Sequence, residues 1–103
     1  MSSGIQQDNE YDLLTVTVKG DSMQPIIRNG DNVTFQKFTK QKLSIGMIVL
    51  CNHPILKRKK IVKRISQIME DSIFIKGDNA LYSSDSRSFG PIKTNQIIGL
   101  YKE

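Results

Sequence analysis

The chain has 103 residues and a formal net charge of +5, a length that suits one small domain. Its longest apolar run, residues 45–51, is far shorter than the roughly 20 residues of a membrane span, and the polar N-terminus lacks the basic start of an export signal. One cysteine and one histidine are too few for an internal disulfide or a structural zinc site. We therefore expect no membrane span, no metal, no cofactor and a reducing, cytoplasmic environment.

Alternating apolar and polar residues predict β-strands along most of the chain. We expect strands over residues 13–19, 31–36, 46–51, 61–68, 72–76 and 96–101, with long loops over residues 20–30, 52–60 and 77–92. A short helical turn is compatible with residues 36–44 alone. The polar residues 1–10 are predicted to form a mobile tail, and residues 11–103 a single, mainly β domain with little helix.

The positive charge is concentrated in one segment, residues 57–64, which holds six of the 15 basic residues and no acidic residue. These are Lys57, Arg58, Lys59, Lys60, Lys63 and Arg64. The segment is compatible with a phosphate-binding stripe, a docking site for an acidic partner, or a solvated hairpin tip. No aromatic residue interleaves with these cations, so nucleic acid is not the expected partner.

A candidate nucleophile follows the first predicted strand, in the segment Gly20-Asp21-Ser22-Met23-Gln24-Pro25. The segment is compatible with a simple turn, but a serine at a strand end beside glycine can also be presented to a substrate. Such a serine needs a base. His53, the one histidine, precedes Pro54 and is expected in a surface turn. Lys63 lies among apolar neighbours, and burial there would lower its pKa enough to make it a base, unless it points to solvent.

Three separated segments resemble type I signal peptidases, over about residues 15–100. The segments are Gly20–Pro25 with Gly30-Asp31 after it, Val62-Lys63-Arg64-Ile65, and Gly77-Asp78-Asn79 continuing to Ser83-Ser84-Asp85-Ser86-Arg87. The third is the most specific, because its spacing is that of the Gly-Asp-Asn and Ser-x-Asp-Ser-Arg block of that family. All three occur in the order found in the family.

The resemblance implies a serine/lysine endopeptidase on a compact antiparallel sheet or partly open barrel of the signal peptidase and LexA type. By this resemblance Ser22 is the nucleophile, Lys63 is the general base, and Ser83 orients Lys63 through a hydrogen bond. The Ser22 N–H would stabilise the oxyanion. The implied structural ion pairs are Asp85 with Arg87 and Asp78 with Arg64, and the implied substrate cleft is shaped by Gly20, Asp21, Met23 and Pro25.

The chain departs from membrane-bound signal peptidases, since no N-terminal anchor is predicted and no large insert separates Lys63 from Gly77. In these respects it is similar to the short soluble maturation proteases of nickel-type superoxide dismutase. That similarity implies a protein precursor as partner, the nickel superoxide dismutase precursor, whose N-terminal extension is removed to expose a metal-binding amine. The protease itself needs no metal.

Two alternatives stay open. One is a signal-peptidase-like or LexA/UmuD-like serine/lysine peptidase with another substrate, although the chain shows neither a helix-turn-helix region nor an evident Ala-Gly or Cys-Gly cleavage site in its tail. The other is a non-catalytic β module that binds nucleic acid or an acidic partner through residues 57–64. Charge reversal at Lys57–Lys60 separates them, because a binding module loses affinity whereas a peptidase keeps its chemistry on a short peptide.

Overall fold

The computed structural model describes residues 12–102. The strands are β1 Leu13–Thr17, β2 Asn32–Lys37, β3 Ile48–Asn52, β4 Lys60–Ile68, β5 Ser72–Lys76, β6 Ile92–Lys93 and β7 Ile97–Tyr101. They form one antiparallel sheet, curled into a half-barrel, in the order β1-β2-β7-β3-β4-β5-β6. The mainly β fold predicted from the alternating pattern is therefore confirmed. The tail predicted over residues 1–10 lies outside the described residues.

Helix occurs in a different place from the one predicted. Residues 36–44 hold no helix, because Gln41 bonds the backbone of its neighbours: its Oε1 accepts from the Thr39 N–H at 2.7 Å, and its Nε2 donates to the Lys37 carbonyl at 2.8 Å. The one α-helix among residues 12–102 is the single turn α1, Ser86–Phe89, inside the long loop. Two 3₁₀ turns cover Ala80–Tyr82 and Thr94–Gln96. No helix of residues 12–102 has the length and apolar character needed to cross a bilayer.

The strand β6 was not predicted, because it is only two residues long and has no room for an alternating pattern. It pairs with β5 through Ser72 and Ile73. Further along β5 the free edge is closed differently, since the Ile75 N–H donates to the buried Ser86 Oγ at 2.9 Å. The long loop is thus an internally bonded structure that covers the edge of the sheet.

The central strand β3 is buried on both faces, and this divides the core into two clusters. Val49 and Cys51 belong to the cluster that also contains the buried isoleucines of β4 and β5, whereas Ile48 and Leu50 belong to the cluster around Phe35. Burial raises the pKa of the Cys51 thiol to about 12. Cys51 is therefore a protonated packing residue rather than a reactive thiol.

Candidate active site

Lys63 occupies a position on β4 that faces the core. Side chains alternate between the two faces of a strand, so Lys63 shares a face with Ile61 and Ile65, both of which are buried. Its cross-strand partner on β3 is the fully buried Val49. Only 5 % of Lys63 is exposed, which makes it the only buried lysine among residues 12–102.

The amine of Lys63 meets the hydroxyl of Ser22. The distance from Lys63 Nζ to Ser22 Oγ is 2.7 Å, within hydrogen-bonding range. Ser22 lies in the loop after β1, so the contact joins two segments that are far apart in the sequence. The pair has the geometry expected of a nucleophile and its base, with Ser22 half-buried and still accessible from one side.

Burial lowers the pKa of Lys63, because removing the ammonium form from water is unfavourable. The nearby Asp85 carboxylate opposes this by raising the pKa, while Lys59 and Arg87 lower it further. The net direction is downward, toward a neutral amine. Such an amine can accept a proton from the Ser22 hydroxyl, which an ordinary protonated lysine cannot do.

The segment Gly77–Asn79 holds the loop that carries Ser22. The Asn79 N–H donates to the Ser22 carbonyl at 2.8 Å, and Asn79 Nδ2 donates to the Asp21 carbonyl at 3.1 Å. The Asp78 N–H approaches the Met23 sulfur at 3.5 Å. Asp21, Ser22 and Met23 are thus all in contact with the same segment, which positions the backbone of the Ser22 loop.

Gly77 is required by close packing rather than by its backbone angles. A Cβ at this position would collide with the Ser83 side chain and lie 2.8 Å from the Ser22 carbonyl oxygen. The Gly77 N–H also donates to Asp85 Oδ2 at 2.8 Å. The absence of a side chain therefore allows the Ser22 loop and the Ser83 loop to approach each other.

Asp85 is a fully buried carboxylate that organises the loop beneath the site. Its Oδ2 accepts from the Ser83 hydroxyl at 2.7 Å and from Arg87 Nη2 at 2.7 Å, and its Oδ1 accepts from Arg87 Nε at 2.9 Å. Burial alone would raise the pKa of Asp85, but the hydrogen bonds from Arg87, Gly77 and Ser83 outweigh it and hold the pKa below its ordinary value. Asp85 therefore remains ionised.

Ser83 differs from its predicted role. Its hydroxyl donates to Asp85, and residues 12–102 show no hydrogen bond between Ser83 and Lys63. The Asp85 carboxylate, two residues along the chain, is a charged and therefore strong acceptor for this hydroxyl. Ser83 lies beside Gly77 and Asp85.

The two ion pairs expected from the sequence are both present. Arg87 bonds Asp85 as described, and Arg64 Nε and Nη2 bond the two carboxylate oxygens of Asp78 at 2.9 and 2.8 Å. Arg64 Nη1 also donates to the Gly46 carbonyl at 2.8 Å. Since Arg64 follows Lys63 on β4, its pair with Asp78 ties the lysine strand to the same loop that holds Ser22.

A groove of about 790 Å³ is lined by Ser22 and Lys63, among other residues. Gly20 and Asp21 lie in its wall beside Ser22 and Lys63, as predicted for the cleft. Met23 does not, because its side chain is 1 % exposed and packs in the Phe35 cluster. Pro25 is exposed and lies outside the groove wall as well. The turn after Ser22 directs these two residues away from the groove.

His53 also lines the groove but is engaged elsewhere. Its Nδ1 accepts from the N–H groups of Ile55 and Leu56 at 3.0 and 2.9 Å, and its ring lies 4.9 Å from the ring of Phe89. Partial burial and the nearby Lys59 and Lys63 lower its pKa. Among residues 12–102 it makes no hydrogen bond to Ser22. The histidine thus shapes the loop between β3 and β4, as expected for a turn residue.

The basic segment 57–64 does not form one continuous charged face. Lys63 turns inward to Ser22, and Arg64 is paired with Asp78. Lys57, Arg58, Lys59 and Lys60 remain exposed at the tip of the β3–β4 hairpin. The charge cluster therefore divides into a buried part that builds the site and an exposed part beside it.

Two residues of the site, Gly77 and Asn79, were noticed in the sequence only as members of a motif. Their contacts are made to backbone atoms of the Ser22 loop and leave no trace in local patterning. The available signal was the resemblance of Gly77-Asp78-Asn79 to the Gly-Asp-Asn motif of signal peptidases.

Comparison with known proteins identifies the family of the chain. A family model described as Peptidase S24-like matches residues 2–101. The chain therefore belongs to the Peptidase S24-like family, and its relatives place it among peptidases of the signal peptidase type.

Three relatives illustrate the similarity. Signal peptidase I V of Bacillus subtilis (strain 168) is 41 % identical over 44 residues, which cover 43 % of this chain and 26 % of that protein. Mitochondrial inner membrane protease subunit 1 of Homo sapiens is 30 % identical over 112 residues, which cover 87 % of this chain and 68 % of that protein. Subunit 2 of that protease from Saccharomyces cerevisiae is 31 % identical over 109 residues, with coverages of 80 % and 62 %. The matched region thus spans about a quarter of the first relative and about two thirds of the others.

Proposed function

We propose that the protein is a serine endopeptidase with a Ser22/Lys63 dyad. The observation that carries the proposal is the 2.7 Å contact between Ser22 Oγ and the amine of a lysine that is only 5 % exposed. Burial favours the neutral form of an amine over the charged ammonium form. A neutral amine beside a serine hydroxyl can accept the hydroxyl proton. Membership of a peptidase family supports the same chemistry.

In the proposed acylation step, neutral Lys63 takes the proton of the Ser22 hydroxyl as Oγ attacks the carbonyl carbon of the scissile bond. The negative charge that develops on the carbonyl oxygen needs a donor. The Ser22 N–H makes no hydrogen bond to any of residues 12–102, so it is free to act as that donor. Lys63 then gives its proton to the leaving amine, the C–N bond breaks, and the acyl group stays on Ser22.

Deacylation reverses the roles. Lys63, neutral again, takes a proton from a water molecule whose oxygen attacks the acyl carbon. The ester bond to Ser22 Oγ breaks, and Lys63 donates its proton to Ser22 Oγ, which restores the serine hydroxyl. The contacts from Asn79 to the Ser22 and Asp21 carbonyls keep the Ser22 loop in place through both steps.

For the substrate, we propose a cytoplasmic precursor protein that loses an N-terminal extension, with the nickel superoxide dismutase precursor as the first candidate. The resemblance to the short maturation proteases supports this choice, because β4 and β5 are joined by a tight turn without a large insert between Lys63 and Gly77. The groove beside Ser22 is open, as an extended peptide substrate requires.

A cleavage assay tests both levels of the proposal. Purified protein is mixed with the dismutase precursor and, separately, with a peptide library, and the product masses are read. Ser22→Ala and Lys63→Met serve as inactive variants, and Ser88→Ala is the matched control, since Ser88 is an exposed serine outside the groove wall. We expect one cut near the precursor N-terminus that the first two variants lose and the control keeps.

The possible outcomes separate the substrate from the mechanism. Cleavage of library peptides without cleavage of the precursor would remove the dismutase proposal and leave the dyad. Full activity of Lys63→Met would remove the dyad even if Ser22 proved essential. Absence of Ser22-dependent cleavage in both arms would contradict the peptidase proposal.

A further inference from the structure

Exposed cations surround the groove on two sides. Lys19 lies at the end of β1, while Arg58, Lys59 and Lys60 come from the β3–β4 hairpin, and all four are exposed and line the groove. The same wall contains one acidic residue, Asp21. The two ion pairs of residues 12–102 involve Arg64 and Arg87, so none of the four groove cations is neutralised by a carboxylate in this part of the chain.

Arg58 adds a second, independent observation. It has a φ of 68°, and it is the only non-glycine residue among residues 12–102 with a positive φ. A left-handed conformation is unfavourable for a side chain of this type, whereas glycine or asparagine would adopt it readily. An arginine kept in an unfavourable backbone conformation at the rim of a groove indicates that its guanidinium serves a function in the groove rather than the formation of the turn.

We infer that the groove selects acidic peptides: the substrate carries aspartate or glutamate side chains near the scissile bond, and these contact Lys19, Arg58, Lys59 and Lys60. This inference rests on the proposed peptidase function and names the substrate class for that same site. The four cations line the same groove as Ser22, which suits an acidic peptide bound beside the serine. A flat membrane surface or a nucleic acid would need cations on an open face, where Lys63 and Arg64 are not available.

The apolar residues of the groove wall agree with a peptide occupant. Leu56 and Tyr82 line the groove and are 51 % and 68 % exposed. They provide contacts for uncharged side chains between the acidic ones. A peptide that alternates apolar or small residues with acidic residues would therefore contact both the apolar and the basic residues that line the groove.

The test measures binding apart from cleavage. Ser22→Ala protein is titrated with three fluorescein-labelled peptides of about ten residues, alternating Ala-Asp, Ala-Asn and Ala-Lys, in low and high salt, and anisotropy is recorded. The test variant carries Arg58→Gly, Lys59→Gln and Lys60→Gln. The matched control carries Lys40→Gln, Lys42→Gln and Lys93→Gln, three exposed lysines outside the groove wall.

We expect the Ala-Asp peptide to bind about tenfold more tightly than the Ala-Asn peptide in low salt, since each exposed charge pair contributes a factor of only a few. Salt and the groove variant should abolish the difference, and the control variant should retain most of it. Equal binding of the Ala-Asp and Ala-Asn peptides would overturn the inference, as would an equal loss in the control.

Two further arms identify competing ligands and separate this inference from the proposed function. Vesicles containing phosphatidylserine and a single-stranded oligodeoxythymidine are titrated in the same way, and tighter groove-dependent binding of either would overturn the choice of a peptide. Cleavage of neutral and acidic library peptides at equal rates by the wild-type protein would overturn the inference while leaving the peptidase proposal intact. Selective binding of the acidic peptide without any cleavage would support the inference and contradict the peptidase.

Discussion

Lys60 and Lys63 lie three residues apart on the same strand and have opposite surroundings. Lys60 is exposed at the hairpin end of β4, whereas Lys63 is 5 % exposed and its amine lies 2.7 Å from Ser22 Oγ. An odd spacing on a strand places two side chains on opposite faces. One residue type thus provides a solvated charge at one position and a base candidate at the other, and only the second has its amine against the Ser22 hydroxyl.

The largest expected effect is that of Lys63→Met. Catalytic efficiency should fall by about 10³-fold or more, because the serine loses its base. The free energy of unfolding should rise by about 1 kcal/mol, since a buried amine is replaced by an apolar side chain of similar length. Both values are obtained from peptide cleavage kinetics and urea unfolding.

Lys60→Met is the matched control for this comparison. It should change cleavage of a neutral peptide by no more than a few fold and leave unfolding nearly unchanged, as for most exposed positions. An equal loss of activity in the two variants would mean that burial does not distinguish the lysines.

Gly77→Ala tests the close approach behind the dyad. The added methyl group collides with Ser83 and presses on the Ser22 carbonyl. We expect cleavage to slow by about 10²-fold through misplacement of Ser22, with a stability loss of about 1–3 kcal/mol from overpacking. Gly30→Ala is the comparison, because a Cβ there meets nothing within 4 Å, although its φ of 92° is unfavourable for alanine. A normal rate in Gly77→Ala would show that the contact is not needed.

Asp85→Asn tests the loop beneath the site. The substitution turns an NH₂ group or an uncharged oxygen toward the donors of Gly77, Ser83 and Arg87. We expect a loss of roughly 2–4 kcal/mol in unfolding free energy, because the hydrogen bonds to a buried charge are lost. Asp71→Asn, at an exposed aspartate, should cost little.

The Asp85 carboxylate also determines part of how the free energy of unfolding decreases at acidic pH. The pKa of Asp85 is lower in the folded protein than its ordinary value of 3.8, so its contribution is complete above that value and is lost as the pH falls through the folded pKa. The difference in unfolding free energy between wild type and Asp85→Asn should therefore narrow in strong acid. A constant difference down to about pH 2 would contradict this assignment.

The smallest effect concerns Arg58. Replacing it by glycine relieves the left-handed backbone and should raise the unfolding free energy by about 0.5–1 kcal/mol. Cleavage of a neutral peptide should stay within a few fold of wild type. Destabilisation in thermal or urea unfolding would show that the arginine side chain stabilises the turn rather than serving the groove.

Much of the fold was predictable because strands leave a local signature. The alternation around Ile61, Lys63 and Ile65 was enough to place Lys63 among apolar neighbours, and the structure shows it facing the core. The short β6 and the single-turn helix α1 were not predictable, because each depends on contacts with other segments, such as the bond from Ile75 to Ser86.

The residues that form the site could be predicted better than the hydrogen bonds that they make. The resemblance to signal peptidases implied Ser22, Lys63 and both ion pairs, but not that the Ser83 hydroxyl donates to the Asp85 carboxylate. The same resemblance implied that Met23 shapes the cleft, yet its side chain is buried in the core. Such outcomes depend on how distant segments pack, which neither composition nor periodicity encodes.

The pH dependence of cleavage sharpens the account of Lys63. The pKa of Lys63 is lowered, so the neutral amine forms at a lower pH than in an ordinary lysine. We therefore expect kcat/KM to rise with pH and then level off, and the midpoint of the rise should lie below pH 10.5. This rise is expected because only the deprotonated amine can accept the Ser22 proton. A rate that falls as the pH increases over this range would contradict the assigned role.

The most direct test of the central claim is an NMR titration of lysine labelled with ¹³C at Cε, since it reports the Lys63 amine without any substrate. One lysine signal should titrate clearly below the others, and it should be missing in Lys63→Met. Ser22→Ala should keep that signal in its lowered range, because burial is the main cause of the shift. If every lysine titrated near the ordinary value of 10.5, Lys63 would be a protonated structural residue and the serine/lysine account would be wrong.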